Sequence, residues 1–162
     1  MTRVLAALAK RFRFNEQLLK VATEGFGPED WARPPAPSGG NCAHWILGHV
    51  TQSRRMALRR LGAELAREPW EELVGMHSKP QGTAGFPPVE ALQGEFSAEG
   101  AELARRLAEL GEGESDAAWG GKPFPDGSRS VNDALHFLYF HETYHLGQIG
   151  LLRRIAGKPG FV

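Results

Sequence analysis

The chain has 162 residues, enough for one domain with a single sizeable core. Its 19 Lys and Arg balance its 19 Asp and Glu, so no net field favours nucleic acid or an anionic membrane as partner. The single cysteine, Cys42, excludes an internal disulfide and gives no argument for secretion.

The opening stretch MTRVLAALAKRFRF has a short apolar run broken by Lys10, Arg11 and Arg13. It has no small-residue cleavage site, so it does not read as a signal peptide. No segment approaches the roughly 18 uninterrupted apolar residues of a membrane span. A cytoplasmic protein without a membrane partner is expected. Four stretches repeat their apolar residues with a period of about 3.6. The first runs from about Thr2 to Ala22, with Leu5, Leu8, Phe12, Asn15 and Leu19 on one stripe. GFGPEDWARPPAPSGG interrupts the pattern. Asn41 is then the expected N-cap of a second helix reaching about Leu61. Within it Arg54, Arg55, Arg59 and Arg60 read as a solvated basic face. After a long connection, roughly residues 63 to 87, a third helix begins near Pro88. Its stripe is Val89, Leu92, Phe96, Leu103, Leu107 and Leu110. The fourth opens at SVND, where Ser130 can cap and Asp133 suits the positive helix end, and it stops at Gly157 before Pro159. No hairpin signal or internal repeat competes. The expected fold is an all-α four-helix bundle. The long connection either crosses over and leaves helices two and three parallel, or forms a lid or an ordered Ω-like loop.

The chemistry concentrates in HETYHLGQI, residues 141 to 149. H-E-x-x-H places two imidazoles one helical turn apart, a zinc signature. With His141 at 0°, His145 falls near 40° and Ala134 and Leu152 near 20°, so the pair lies on the apolar stripe. His136 lies about 140° away. On the second helix His49 shares an inward stripe with Cys42, Met56 and Trp45, with Gly48 beside it to permit close approach. His44 is turned about 140° from it. Three inward histidines from two helices make a reasonable shell for a divalent metal with positions left open. The bland alternative is three hydrogen-bonded core histidines, which would leave several ring nitrogens to satisfy.

A zinc peptidase is disfavoured. Position 148 is Gln and position 151 is Leu where the extended pattern needs Gly and His, and no carboxylate residue follows His145. Gln148 is expected to bond an imidazole, a bound water or substrate, or else to act as a helix-packing amide. Glu142 reads either as an orienting or general-base carboxylate or as an inter-helix one. Cys42 sits about 10 Å along the helix from His49, so a small core residue is its expected role. His77, in the long connection, is a candidate for the pocket mouth. Trp31, Trp45, Trp70 and Trp119 are candidates for the core or for a pocket wall.

NCAHWILGHV followed by HETYHLGQIGLLRRIAGKPG resembles the DinB-like, YfiT-type family of metal-binding four-helix bundles. FRFNEQLLKVA and FPPVEALQGEF share the likeness, so it spans most of the chain. The resemblance implies an up-down-down-up bundle, often a homodimer, with zinc or nickel held by His49, His141 and His145. It further implies a transferase that uses a low-molecular-weight thiol on a small-molecule substrate. A metal-dependent hydrolase and a non-catalytic metal-binding stress-response module remain the alternatives.

Overall fold

The computed structural model describes residues 3–75, 78, 83–120, 123–127 and 129–160. His77 lies outside them. Among the described residues there are seven helices and no strand. Four are long: α1 (Arg3–Ala22), α3 (Ala43–Arg60), α4 (Val89–Glu109) and α6 (Val131–Ile155). The short helices α2 (Pro28–Ala32) and α5 (Glu112–Asp116) and a 3-10 helix (Pro69–Val74) were not foreseen, because one or two turns carry too little periodicity to register. No described helix is long and apolar enough to cross a membrane.

The local signals explain most boundaries. Ser130 caps α6, its hydroxyl accepting from the Asp133 amide at 3.1 Å, and Gly157 follows the helix with φ +76°. The α3 cap is Cys42 rather than the expected Asn41, and its thiol makes no capping bond. Tertiary packing fixes that end instead, since Cys42 and Ala43 are both buried.

α1 and α3 each pack against both α4 and α6. The stripes named above face inward and form two apolar halves. One gathers Leu19, Trp31, Trp45, Phe96, Leu146 and Ile149; the other gathers Leu5, Phe12, Leu103, Leu107, Trp119 and Leu135. Each such side chain contributes about 1.5–3 kcal/mol by leaving water. Between the halves lies a polar layer of Asn15, Arg54 and Glu142, each 1% exposed. Expecting Arg54 and Arg55 on a solvated face was therefore wrong: both are buried. Arg54 donates to both carboxylate oxygens of Glu142 at 2.7 and 2.8 Å and to the carbonyls of Phe12 and Phe96, with its guanidinium 3.5 Å above the Phe96 ring. Full pairing and a ring face let a charge sit where water does not reach.

The connection between α3 and α4 is strapped to α3. Arg55 and Arg59 both donate to Glu71 of the 3-10 helix, at 3.0, 2.7 and 2.6 Å, and both donate to the Ala66 carbonyl. Burial opposes ionisation of Glu71, but Arg59, the Glu68 amide and Arg55 outweigh it and hold the carboxyl below its usual range. On the far side Arg55 reaches Glu99 of α4 at 3.1 Å.

Candidate metal centre

The polar layer is where α3 and α6 bring His49, His141 and His145 together, with candidate ligand atoms all within 4.8 Å of one another. The Nε2 atom of His141 lies 3.0 Å from that of His49 and 3.2 Å from that of His145. Nitrogens bound tetrahedrally to zinc at about 2.0–2.1 Å would stand about 3.3 Å apart. The observed spacing is close to that. Among the described residues the cluster includes no Cys, Asp or Glu.

The surroundings set which ring atoms are free. His49 Nδ1 lies 2.7 Å from the Val74 carbonyl, which only accepts, so Nδ1 carries the proton and Nε2 presents a lone pair. His145 Nδ1 faces the Gln148 Oε1 at 2.8 Å, which fixes the same tautomer. Two lone pairs thus converge on the Nε2 of His141. The buried Nδ1 of His141 has no hydrogen-bond partner among the described residues. Such a ring trio is poorly satisfied by itself and well satisfied by a shared cation, so these residues fit a divalent metal ion.

Burial holds all three rings neutral. It pushes His49 below the ordinary histidine range against the opposing bond to Val74. His141 falls to about 3 through burial and the neighbouring His145 and His49, and His145 to about 4 through burial and His49, opposed by Gln148. Lone pairs are therefore available at neutral pH. Trp45 stacks on His49 with centroids 4.8 Å apart, and Phe137 lies over His141 at 6.2 Å.

The sequence-derived candidates divide. Gln148 sits on the cluster through His145. Glu142 is buried and takes bonds from Arg54 and, at 2.9 Å, from Asn15. Cys42 is buried and outside the cluster. His44 points to the Pro87 carbonyl at 2.9 Å. Gly48 does permit a close approach, chiefly by Val74 of the strap: a Cβ there would lie 3.1 Å from Val74 Cγ1. Sequence reasoning missed Val74, which acts through its backbone and has no side-chain signal, and Phe137, which reads as one more apolar position.

Fold and site together define a helical bundle carrying a three-histidine cluster suited to a divalent metal ion. The chain belongs to the DinB superfamily, whose family model matches residues 11–149. No curated protein matches its sequence.

Proposed function

We propose that the protein is a metal-dependent S-transferase. His49, His141 and His145 hold zinc or nickel, and a low-molecular-weight thiol is activated there for transfer to a small electrophilic substrate. One observation carries the reading: three neutral imidazoles bring a ring nitrogen each to one place, with no Cys, Asp, Glu or further His joining them among the described residues. Closed structural sites are four-coordinate, whereas sites for chemistry keep a position open. A bound ion would stabilise the thiolate over the thiol, supplying the stronger nucleophile at neutral pH.

The chain's own residues orient and enclose. The Val74 carbonyl and Gln148 fix the tautomers of His49 and His145. Trp45 and Phe137 limit water on two sides of the rings. Glu142 is proposed to act through Arg54, anchoring the turn of α6 that bears both histidines, rather than as a base.

The remaining assignments belong to the same proposal. The chain is a single domain with up-down-down-up helices. Supporting this, Asn15 meets Glu142 and Phe12 meets Tyr139, Arg54 meets Glu142 while His49 meets His145, and Arg54 meets Phe96 while Arg106 meets the Leu61 carbonyl. A cytoplasmic homodimer is proposed, supported by exposed Phe140, Tyr144, Leu151 and Ile155, which fall within about 60° on α6.

The test is elemental analysis of untagged wild type and His49→Ala, followed by thiol-consumption assays of the metal-loaded protein with 1-chloro-2,4-dinitrobenzene. About one ion per chain, lost in the variant, with metal-dependent conjugation is the expected result. No binding even after metal loading would overturn the reading. Ester hydrolysis without thiol consumption would replace it with a hydrolase.

A further inference from the structure

Further along α3 from His49, a half-open groove of about 890 Å³ is floored by Gln52, Met56, Arg59 and Arg60, within the usual size of small-molecule sites. That floor continues the line of His49. At 100° per residue Met56 and Arg60 fall within about 20° of it, roughly 10 and 16 Å further along the axis. On the opposite side, ring contacts lead inward to the cluster. Trp119 meets Phe124 at 5.7 Å, Phe124 meets Phe137 at 4.9 Å, and Phe137 lies over His141. The groove and the histidines thus share α3 and are linked through the packed Phe124–Phe137 rings, although no histidine of the cluster lines the groove itself.

Its lining has two characters. Met56, Trp119 and Phe124 make an apolar wall. Around them stand three cations, Arg59, Arg60 and Arg67, and three anions, Glu68, Glu71 and Glu72. Arg59 and Glu71 satisfy one another. Arg60, Arg67 and Glu72 have no side-chain hydrogen bond or ion pair among the described residues. An anion would gain from Arg60 and Arg67 but meet Glu68 and Glu72; a cation would meet the reverse. A neutral apolar molecule would use neither set. A molecule carrying both charges answers both.

We propose that this groove binds an elongated molecule by a zwitterionic amino-acid head. Its carboxylate lies at Arg60 and Arg67, its ammonium at Glu68 and Glu72, and its apolar midsection against Met56, Trp119 and Phe124. The inference rests on the histidines being the reacting centre, since the span from Arg60 to His49 sets the molecule's length. That span equals about four to five extended residues, the size of a short-peptide-like compound.

Three probes share one apolar body: S-benzyl-L-cysteine, its N-acetyl derivative, which is only an anion, and its carboxamide, which is only a cation. Calorimetric titration into metal-loaded wild type, Arg60→Ala and Glu72→Gln reads the groove. The zwitterion is expected to bind about tenfold tighter than either singly charged probe, a difference of about 1.4 kcal/mol. Arg60→Ala should weaken the zwitterion and the anion and spare the cation; Glu72→Gln should weaken the zwitterion and the cation and spare the anion. Both residues are exposed, so folding should survive, and circular dichroism confirms it. Equal affinities, insensitivity to both substitutions, or no binding overturns the inference. Metal content of the same samples separates the two readings. Charge-selective binding by a chain that takes up no metal keeps the groove and sinks the metalloenzyme, whereas full metal without charge selectivity sinks the groove alone.

Discussion

Glu142→Gln removes one negative charge from the polar layer at almost constant shape. Arg54, 1% exposed, would keep its bonds to the Phe12 and Phe96 carbonyls and lose its bidentate partner. Breaking a buried pair from one side costs about 3–5 kcal/mol, because the remaining charge is stranded. The nearest substitute is Glu16, 3.5 Å from Arg54. Burial pushes its carboxyl up, with Glu142 adding to that against Arg54 and Arg13. Without Glu142 it ionises more readily and takes over part of the pairing. The lower end of the range, about 3 kcal/mol, is therefore expected, and at roughly 2–4 °C per kcal/mol Tm should fall by about 6–12 °C. Thermal melts of metal-depleted protein by circular dichroism measure this. Chelator competition should find zinc binding weakened by about tenfold or more, because the Arg54–Glu142 pair registers the turn of α6 that carries His141 and His145. Arg54→Leu combined with Glu142→Leu should recover part of the loss. A melt unchanged within about 2 °C, accompanied by abolished turnover, would refute the reasoning and make Glu142 a base acting on the reactants.

Zinc at about 100-fold over its Kd should stabilise wild type by about 2.7 kcal/mol, a gain that His145→Ala loses; a Tm insensitive to zinc contradicts the site. Glu71→Gln should loosen the strap that presents the Val74 carbonyl and weaken zinc binding about 10–100-fold. Glu99→Gln, which breaks another Arg55 pair, should not, and equal losses in chelator competition would refute this role. In metal-free protein His141 and His145 titrate at about 3 and about 4, against about 6.5 in the unfolded chain. The unfolded chain then binds protons that the folded one excludes, so stability present above about pH 6.5 is lost as pH falls towards 4. Discounted for partial exposure, the pair should cost about 1 kcal/mol per pH unit. Denaturant midpoints of wild type should diverge from those of His141→Gln, His145→Gln in that window, and parallel curves would contradict the shifts. The double variant is the reference because Glu99, raised to about 8 mainly by burial, changes stability in the opposite direction. Gly100→Ala would drive a Cβ into Glu16 and Arg54 and should cost about 1–3 kcal/mol by denaturant unfolding.

The four long helices and the inward azimuths of His49, His141 and His145 were legible because helical periodicity is a local property. What was not legible depends on partners distant in the chain. Arg54 reads as a surface residue until Glu142, 88 positions away, is known to face it. Val74 orients His49 through a carbonyl that every residue possesses. Asn41 has the better capping side chain, yet the burial of Cys42 and Ala43 moves the start of α3 one residue on.

H-E-x-x-H shows how far a motif carries. The spacing fixes that two imidazoles share a helix face, and that geometry holds whatever surrounds it. The role of the intervening Glu is not fixed by spacing, because a base must reach substrate through an unoccupied, accessible oxygen. Here Glu142 is 1% exposed, and Arg54 and Asn15 occupy its oxygens. The buried pair gains little stability over an apolar replacement, so its use is better sought in position. It ties α6 to α3 and α1 at the residue next to His141, and the convergence of the three rings depends on that registration. Loosening it should therefore change where the rings stand before it changes what any carboxylate does.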